Sequence, residues 1–482
     1  MTQLIGREYE TKELLSVYNS KKSEFVAIYG RRRVGKTFLV DEVLKNHITF
    51  RHAGLSPVDR ENNSNNMKKQ LSHFFFSLKH HGMKSDKKPT SWEEAFFMLE
   101  KLLESKGGRK RQVVFLDELP WLDTPRAGFS TAFEGFWNTW GCHRNNLMVV
   151  VCGSASSWML DKLVNNHGGL YGRVTYEIHL HPFTLAECEA YCRKSGLVLS
   201  RYDIVQSYMI LGGIPYYLGY LQQGKSLAQN IDQLFFAPGA KLHEEYDRLF
   251  ASVFSQPEQM KRIVELLASR RMGFTRKEIL KKTELPDCGP SSKLLKALVS
   301  SDFIQTYVPF GKSAREPYYK LTDPFCIFYL KFVRGRKVMD AHFWMHNTAT
   351  PRISAWRGFA FEEVCFSHVD QIKTALGIQG IQSSQSAWAA KGDEEDDGAQ
   401  LDMLIVRNDN IVNLCEMKFY GDTFSVDKAY YKKMVVRQNL LATHLPKRAA
   451  IHNTLVTTEG LKYNEYSGIF QNAVTLDALF GK

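Results

Sequence analysis

Apolar and polar positions alternate along the first part of the chain in a regular order. Unbroken apolar runs at residues 25–29, 113–116 and 147–152 are typical of strands buried on both faces of a parallel sheet. Segments with helical spacing lie between these runs, at residues 92–104 and 129–140. Shorter strand-like runs occur at residues 48–50 and 176–180. This alternation predicts an α/β fold, with crossover helices, in residues 1–184.

The pattern changes after residue 184. Residues 185–234 show only helical spacing, with a break at Gly212, Gly213 and Pro215, which predicts an all-helical lid on the sheet, extending to residue 254. Residues 257–301 contain three short helical segments, followed by two strand-like segments at 303–308 and 318–321. Three helices and a two-stranded wing predict a winged helix-turn-helix in residues 255–330.

A fourth part follows a basic and aromatic linker. We expect a helix at residues 355–376, an acidic loop at 393–398, and two strands at 401–407 and 411–419 joined by a turn at 408–410. Residues 350–482 are therefore predicted to form a separate α/β domain. The 482 residues of the chain provide enough length for these four parts.

Composition narrows the class of protein. Apolar residues make up 44% and charged residues 24% of the chain, which excludes a mostly disordered protein. The eight cysteines form no CxxC pair and several lie in apolar runs, so we expect reduced thiols. The N-terminus lacks a signal-peptide pattern, and no apolar window is long enough to span a membrane. These features predict a soluble, cytoplasmic protein without a membrane partner.

Residues 30–37 match the pattern GxxxxGK[ST] between a predicted strand and a predicted helix. Glycines allow backbone N–H groups to curl around phosphate, and the helix N-terminus adds positive partial charge. Lys36 would neutralise the β- and γ-phosphates, and Thr37 would offer its hydroxyl to Mg²⁺. The motif predicts ATP and Mg²⁺ as cofactors, bound by Gly30, Arg31, Arg32, Arg33, Val34, Gly35, Lys36 and Thr37.

The run at 113–116 ends in Asp117 and Glu118. Acids at the carboxyl end of a buried strand, after such a loop, predict the second half of the nucleotide site. Asp117 would hold Mg²⁺ through water, and Glu118 would orient and deprotonate the attacking water.

Two further residues are candidates for the same reaction. Ser154 follows the strand at 147–152 and could contact the γ-phosphate or the attacking water, although it also fits a helix cap. Arg173 could stabilise transition-state charge in its own subunit or in a neighbouring one, although an isolated arginine also fits a surface ion pair.

Several motifs in fixed order carry a resemblance to a known family. They are Ile5-Gly6-Arg7-Glu8-x-Glu10, GRRRVGKT, FLDELPW, CGSASSWM, LYGR followed by HPFTLAE, and Gly212-Gly213-Ile214-Pro215-Tyr216-Tyr217. Residues 1–330 resemble the archaeal-type ATPases of the AAA/STAND superfamily. The resemblance implies a P-loop ATPase core, a helical lid and a winged helix, in agreement with the pattern analysis.

The last part of the chain contains a second group of charged residues. Asp402 follows Leu401 in one predicted strand, and Glu416 and Lys418 lie two apart on the next, so the latter two face the same side. Acids on adjacent strands can bind a divalent ion, and the lysine can position water at a phosphodiester. The spacing, preceded by a helix that contains Glu362 and Glu363, resembles the PD-(D/E)XK nuclease superfamily, with a restriction-endonuclease-like fold.

This second resemblance implies that Asp402, Glu416 and Glu362 are metal ligands and that Lys418 is catalytic. The proline of the pattern is absent, since Gln400 and Leu401 precede Asp402. A hairpin with surface charges, or a nuclease-like fold that binds DNA without cleaving it, fits the same residues.

Charge indicates the class of partner. The net charge is +12, and residues 241–340 hold 19 Lys and Arg against 12 Asp and Glu. Lysines on the second and third helices of the predicted winged helix could neutralise DNA phosphates, although winged helices also serve as protein contacts. The leading interpretation is an ATP-dependent enzyme that acts on DNA or is regulated by it. The alternative is a nucleotide-dependent switch that assembles into homo-oligomers or with other partners.

Overall fold

A computed structural model describes residues 4–56, 66–108, 110–124, 126–164, 170, 172–254, 256–336, 340–388 and 402–481; the side chains of Asn66 and Asp402 lie outside this description. The chain divides into two compact units. The first comprises Met1–His181, Arg248–Pro257 and Lys296–Ser301, and the second comprises Pro182–Asp247, Glu258–Leu295 and Asp302–Lys482. The four-part division from the sequence remains a prediction.

The first unit is built on a five-stranded parallel sheet. Its strands are β1 (Glu24–Tyr29), β2 (Ile48–Ala53), β3 (Gln112–Asp117), β4 (Leu147–Gly153) and β5 (Tyr176–His179). The order across the sheet is β2-β3-β4-β1-β5. Every residue of β1, β3 and β4 is buried, which explains their unbroken apolar sequences. The predicted α/β fold with a parallel sheet is confirmed.

Helices connect these strands. They are α1 (Glu8–Tyr18), α2 (Lys36–Leu44), α3 (Asn66–His80), α4 (Trp92–Lys106), α5 (Phe129–Gly135) and α6 (Ser156–Met159), with π-helical turns at Phe136–Trp140 and Leu160–Val164. Ser91 caps α4 by accepting a hydrogen bond from the backbone N–H of Glu94. Phe25 of β1 packs against Phe133 and Trp137, with ring centroids 5.5 and 5.1 Å away. An aromatic core therefore supports the strand that leads into the loop at residues 30–37.

The second unit begins with helices only. These are α7 (Leu185–Lys194), α8 (Arg201–Leu211), α9 (Pro215–Leu218) and α10 (Leu227–Phe235); the next helix, α11 (Glu245–Val253), belongs to the first unit from Arg248 onward. Capping boxes at Thr184, Ser200 and Ser226 start α7, α8 and α10. The all-helical pattern predicted for residues 185–234 is therefore present.

Residues 257–321 form three helices and a small antiparallel sheet. The helices are α12 (Pro257–Ala268), α13 (Arg276–Thr283) and α14 (Gly289–Ser300), and the strands are β6 (Phe274–Thr275), β7 (Ile304–Tyr307) and β8 (Tyr318–Leu321), in the order β6-β8-β7. The sequence predicted two of these strands. The third, β6, contains only two residues, too few for a recognisable alternation.

Packed helices occupy residues 324–375, which include the segment expected to be a linker. These are α15 (Pro324–Phe328), a π-helical turn at Tyr329–Val333, α16 (Phe343–Asn347), α17 (Pro351–Ser367) and α18 (Val369–Ala375). Phe328, Phe332, Trp344 and Trp356 are all buried and contact one another. The single helix predicted at 355–376 is wrong in one respect: it is divided at His368, whose Nε2 accepts a hydrogen bond from the backbone N–H of Leu185 at 3.2 Å.

A mixed five-stranded sheet completes the second unit. Its strands are β9 (Ser383–Trp388), β10 (Asp402–Arg407), β11 (Ile411–Lys418), β13 (Ala450–Thr457) and β15 (Asn472–Thr475), in the order β15-β13-β11-β10-β9. Strands β9, β10 and β11 are antiparallel neighbours, whereas β11, β13 and β15 are parallel. A separate pair joins β12 (Phe424–Ser425) and β14 (Leu461–Lys462), and α19 (Lys428–Ala442) packs on the sheet. The acidic loop predicted at 393–398 lies outside the described residues.

All eight cysteines are free thiols, as expected for reduced residues. Within the described ranges, we find no helix with the length and apolar character needed to cross a membrane.

Candidate functional site

The loop between β1 and α2 has the backbone geometry that a phosphate-binding loop requires. Gly30 and Gly35 have φ values of 142° and 96°, in a region that favours glycine. A Cβ atom added to Gly30 would lie 2.3 Å from the carbonyl oxygen of Leu180, so the loop also needs glycine there for steric reasons. The first glycine of the motif is therefore fixed by its packing against the end of β5.

Lys36, the first residue of α2, is buried inside the curve of this loop. Its Nζ donates hydrogen bonds to the carbonyl oxygens of Gly30 at 2.9 Å and Arg31 at 3.0 Å. Burial lowers the pKa of Lys36, and the nearby carboxyl groups of Glu118 and Asp117 oppose that shift. The ammonium group therefore lies where backbone N–H groups of such loops surround phosphate.

Thr37 and Asp117 lie side by side. The Thr37 hydroxyl donates a hydrogen bond to Oδ2 of Asp117 at 2.9 Å. Burial raises the pKa of Asp117, and the neighbouring Glu118 raises it further. A hydroxyl and a carboxylate are hard oxygen ligands of the kind that Mg²⁺ prefers, so these two residues fit the ion.

Glu118 and Ser154 form a second pair at the ends of the adjacent strands β3 and β4. The hydroxyl of Ser154 donates to Oε1 of Glu118 at 2.7 Å, and its backbone N–H donates to Oε2 at 3.2 Å. Glu118 itself has a left-handed backbone, with φ of 45°. The structure thus brings together the residues predicted for water activation and phosphate contact.

The remaining residues of the loop differ in their surroundings. Arg31 is buried, and the guanidinium of Arg32 lies 5.8 Å from the ring centroid of Trp121. Arg33 has a φ of 73°. Val34 is buried, and its carbonyl oxygen accepts a hydrogen bond from Arg7 at 3.4 Å.

Arg7 is a residue whose role the sequence did not reveal. Besides Val34, its guanidinium donates to the carbonyl oxygen of His181 at 2.6 Å and pairs with Glu10 at 3.6 Å. It is buried although it is charged. A buried arginine needs several partners. The sequence signal for Arg7 was its place in the opening motif.

Arg173 is exposed in the turn that precedes β5. Its backbone N–H donates to the carbonyl oxygen of Leu170 at 3.1 Å. The described contacts do not join its guanidinium to the loop at residues 30–37. Its proposed role in stabilising charge remains a prediction.

In the second unit, Glu416 on β11 is 1% exposed and lies among cationic and phenolic groups. Its carboxylate contacts Nζ of Lys418 at 2.7 Å, the guanidinium of Arg437 at 3.2 Å and the hydroxyl of Tyr430 at 2.5 Å. Burial opposes ionisation, but Lys418 and Arg437 outweigh it and lower the pKa of Glu416 to about 2. The predicted neighbours Glu416 and Lys418 are together; Arg437 and Tyr430, on α19, were not foreseen.

Asp402 and Glu362 were expected to join Glu416. Asp402 is the first residue of β10. The next residue, Met403, pairs with Cys415 of the antiparallel strand β11. The same register, extended by one residue, places the backbone of Asp402 opposite that of Glu416. Glu362, on α17, is buried and forms an ion pair with Arg271. Burial raises the pKa of Glu362 to about 7 despite that partner. The part of each in metal binding remains a prediction.

The first of these sites lies in a region that is similar to known proteins. Residues 4–221 match the family model described as an ATPase domain predominantly from Archaea. The chain is also similar to an uncharacterized protein of Methanocaldococcus jannaschii, with 24% identity over 420 residues and coverage of 84% of each chain.

Two solved structures are also similar to this chain. The Walker-type ATPase of Pyrococcus abyssi is 20% identical, with a TM-score of 0.45, covering 68% of this chain and 96% of that one. The ORC2 protein of Aeropyrum pernix, in its ADPNP and ADP complexes, is 15% identical, with a TM-score of 0.39, covering 69% of this chain and 94% of that one.

The family match includes the loop at residues 30–37, the acids after β3 and the serine after β4. Residues 4–221 are therefore similar to an ATPase domain of the type found predominantly in Archaea.

Proposed function

We propose that the first unit binds ATP with Mg²⁺ and hydrolyses it at residues 30–37, Asp117, Glu118 and Ser154. The observation that carries this proposal is the pairing of Thr37 with Asp117 and of Glu118 with Ser154 beside the buried Lys36. A cation, a pair of Mg²⁺-binding oxygens and a carboxylate base are the groups that phosphoryl transfer to water requires.

Each residue has a distinct part in this proposal. Lys36 exchanges its carbonyl partners for phosphate oxygens, while Thr37 and Asp117 hold Mg²⁺, which neutralises charge on the phosphates when bound. Glu118 accepts a proton from the attacking water. Because Ser154 already donates to Glu118, its hydroxyl orients that carboxylate and can contact the water at the same time.

Lys36→Ala and Glu118→Gln test this assignment in an assay of ATP binding and hydrolysis. We expect Lys36→Ala to lose ATP binding. We expect Glu118→Gln to bind ATP but to hydrolyse it at least about a hundredfold more slowly than wild type. The matched controls are Lys45→Ala, at the exposed end of α2, and Glu42→Gln, at an exposed position on α2. Both should behave as wild type. Wild-type turnover by Glu118→Gln would refute the assigned base.

We propose further that the ATPase acts on DNA or is regulated by it through residues 255–330, as a winged helix. The order of three helices and an antiparallel hairpin supports this, as do the exposed lysines 281, 282 and 293. Two neighbouring cations carry less weight because they are paired: Arg276 with Asp287 at 2.7 Å and Lys277 with Glu316 at 2.8 Å.

Fluorescence anisotropy with labelled duplex DNA, measured over a range of salt concentrations, tests this surface. Replacing Lys281, Lys282 and Lys293 together by glutamate should weaken binding at least tenfold and reduce its salt dependence. The exposed Lys428→Glu, on α19, is the control. Equal binding by the triple variant and wild type would exclude this surface.

For the C-terminal sheet we propose a metal-dependent nuclease site formed by Asp402, Glu416 and Lys418. The contact between Glu416 and Lys418, together with the register of β10 and β11, supports it. A non-cleaving domain in a nucleotide-dependent switch is the second candidate, because the Glu416 carboxylate is already neutralised by Lys418 and Arg437.

Plasmid DNA with ATP and Mg²⁺ or Mn²⁺ distinguishes these two candidates. If the site cleaves, Asp402→Ala should abolish nicking while ATP hydrolysis continues, and the exposed Asp422→Ala should cleave as wild type. If the wild-type protein cuts no DNA but its particle mass changes when ATP is added, the nuclease proposal is wrong and the nucleotide-dependent switch is supported.

A further inference from the structure

A cleft of about 720 Å³ lies in the first unit, at the end of the parallel sheet away from the nucleotide loop. Its lining comes from three connections that precede strands: residues 18–21 before β1, residues 108 and 111 before β3, and residues 143–146 before β4. These strands are parallel, so the three connections lie at one edge of the sheet, whereas the nucleotide site follows the strands at the other edge. Strands of six or seven residues separate the two edges by about 20 Å.

Cations predominate on this cleft and beside it. Lys21, Arg111 and Arg144 line it, and none of its described lining residues is an acid. Lys22 and Lys110 are their neighbours in the chain, and both are exposed. Five cations from three connections therefore meet at the edge where the strands begin. We call these five residues the pre-strand surface.

Two described acids lie close to these cations. Glu24 is near Arg111, and Glu104 is near Arg144. Glu104 also pairs with Lys101 at 3.1 Å, so its charge is shared with a cation outside the surface. Among the described contacts, none joins a lysine of the pre-strand surface to a carboxylate. Five cations against two ionised acids leave an excess of three positive charges.

Arg111 holds the three connections together. Its guanidinium donates hydrogen bonds to the carbonyl oxygens of Val17 and Ser20, both at 3.3 Å, and to that of Lys22. It also donates to the carbonyl oxygen of Asn145 at 3.1 Å. Arg111 itself lies directly before β3. One side chain thus fixes the backbone that carries the other cations, which reduces the ordering that a ligand must impose.

The remaining groups of the cleft are neutral donors rather than apolar walls. The amide side chains of Asn19 and Asn145 are exposed on it. The guanidinium of Arg144 lies 4.7 Å from the ring centroid of Trp140, a cation–π contact that restrains it. The described lining contains no aliphatic side chain, so the cleft lacks the apolar walls typical of small-molecule sites. Lysine, arginine and asparagine side chains are instead the groups that contact phosphate oxygens in protein–DNA complexes.

We propose that the pre-strand surface binds the phosphodiester backbone of duplex DNA without reading its bases. The duplex carries about one negative charge per 1.7 Å of its axis, so cations from three connections can contact phosphates at the same time. This inference rests on the proposed action on DNA, but it is independent of residues 255–330. It gives the ATPase unit a DNA contact of its own.

Fluorescence anisotropy of the full-length protein with labelled duplex DNA, over a range of salt concentrations, tests this surface. Replacing Lys21, Lys22 and Arg144 together by glutamate should weaken binding at least tenfold. The slope of log affinity against log salt should fall by about two to three, since each lost phosphate contact removes about 0.9 from it. Two duplexes of unrelated sequence should lose affinity equally, because phosphate contacts carry no sequence information.

A charge-matched control separates this local effect from the change in net charge. Replacing Lys12, Lys68 and Lys69 together by glutamate alters three exposed lysines of the first unit outside the surface, and affinity should change less than threefold. Both triple variants should keep the thermal unfolding midpoint of wild type. Duplex DNA should protect Lys21 and Lys22 of the wild type from acetylation but leave Lys68 reactive.

The triple variant of Lys281, Lys282 and Lys293 distinguishes this inference from the winged-helix proposal. If that variant binds DNA as wild type does while the pre-strand variant loses affinity, the winged-helix proposal fails and the pre-strand surface stands. The inference is overturned if the pre-strand variant binds DNA as tightly as wild type, or if the charge-matched control loses affinity equally. It is also overturned if wild type binds anionic lipid vesicles but no DNA, which would assign the surface to a membrane.

Discussion

At the scale of single residues, each reactive group of the nucleotide site already has a protein partner. Asp117 accepts from Thr37, Glu118 accepts from Ser154, and Lys36 donates to two carbonyl oxygens. These partners hold the side chains in place before any ligand is present, which reduces the reorganisation that binding requires. The same partners must be exchanged when phosphate and water arrive.

Ser154→Ala removes one of these partners and should lower the rate of ATP hydrolysis. Because only one of two hydrogen bonds to Glu118 is lost, we expect kcat to fall about three- to tenfold, equivalent to about 1 kcal/mol. KM should be unchanged. Steady-state kinetics measure both quantities, and Ser157→Ala, which lies outside the contact, is the control. A change in KM alone would assign Ser154 to binding.

Glu416→Gln should destabilise the second unit. The substitution removes the negative charge that Glu416, itself 1% exposed, places beside the cations Lys418 and Arg437. Loss of one partner from such a cluster costs about 3–5 kcal/mol. Hydrogen exchange at β11 and α19 should accelerate accordingly, and adding Lys418→Met should recover part of the loss. Unchanged exchange in the single variant would contradict this account.

The sequence revealed these residues unequally. The loop, Asp117 and Glu118 were predictable because motif and strand pattern coincide over a short stretch. Arg437 and Tyr430 were not, because they reach Glu416 from a helix that follows β11 in the chain, and no local pattern specifies that approach.

At the scale of elements, strands with an apolar sequence were predicted well. Strands with a polar sequence were predicted poorly. The strands of the first unit were foreseen because β1, β3 and β4 each contain an unbroken apolar run. Strand β13 was missed because Asn453, Thr454 and Thr457 are polar although buried. Asn453 donates to Gln438 and to the carbonyl oxygen of Ile469, both at 3.0 Å, and such tertiary partners allow a polar residue to be buried.

The Arg271–Glu362 pair, which joins the α12–β6 connection to α17, should make stability depend on pH. Burial raises the pKa of Glu362 from 4.5 to about 7, and the nearby Glu363 adds a smaller upward contribution. Arg271 and Lys320 act in the opposite direction and lower this pKa, but burial outweighs them. The folded protein therefore binds more protons than the unfolded chain between these values, so the free energy of unfolding falls as pH rises from about 4.5 to 7.

Glu362→Gln should flatten that slope in denaturant titrations made at several pH values. The exposed Glu459→Gln should keep it. A slope that persists in Glu362→Gln would show that another group is responsible.

At the scale of the whole molecule, helices α7 to α10 belong to the same unit as the C-terminal sheet. Arg201 of α8 pairs with Asp477 at 2.8 Å, and the backbone N–H of Leu185 donates to His368. The segment predicted as a lid is thus attached to the C-terminal region. A response of these helices to nucleotide would move the C-terminal elements with them.

Assembly of several copies would give Arg173 a role, because it is exposed in the turn before the edge strand β5. We expect Arg173→Ala to bind ATP normally and to hydrolyse it about a thousandfold more slowly, as for an arginine supplied by a neighbour. Mixing Arg173→Ala with Lys36→Ala protein should restore part of the activity, since each supplies what the other lacks. Particle mass measured with and without ATP provides the independent check, and a mixture without activity would exclude the role between subunits.

The position of Arg7 has a mechanical consequence. One guanidinium group binds both the carbonyl oxygen of Val34 in the nucleotide loop and that of His181, the last residue before the chain enters the second unit. One residue before His181, the carbonyl oxygen of Leu180 leaves no room for a side chain on Gly30. A rearrangement of the loop around phosphate would therefore act directly on residues 180 and 181, through the packing of Gly30 and the hydrogen bonds of Arg7.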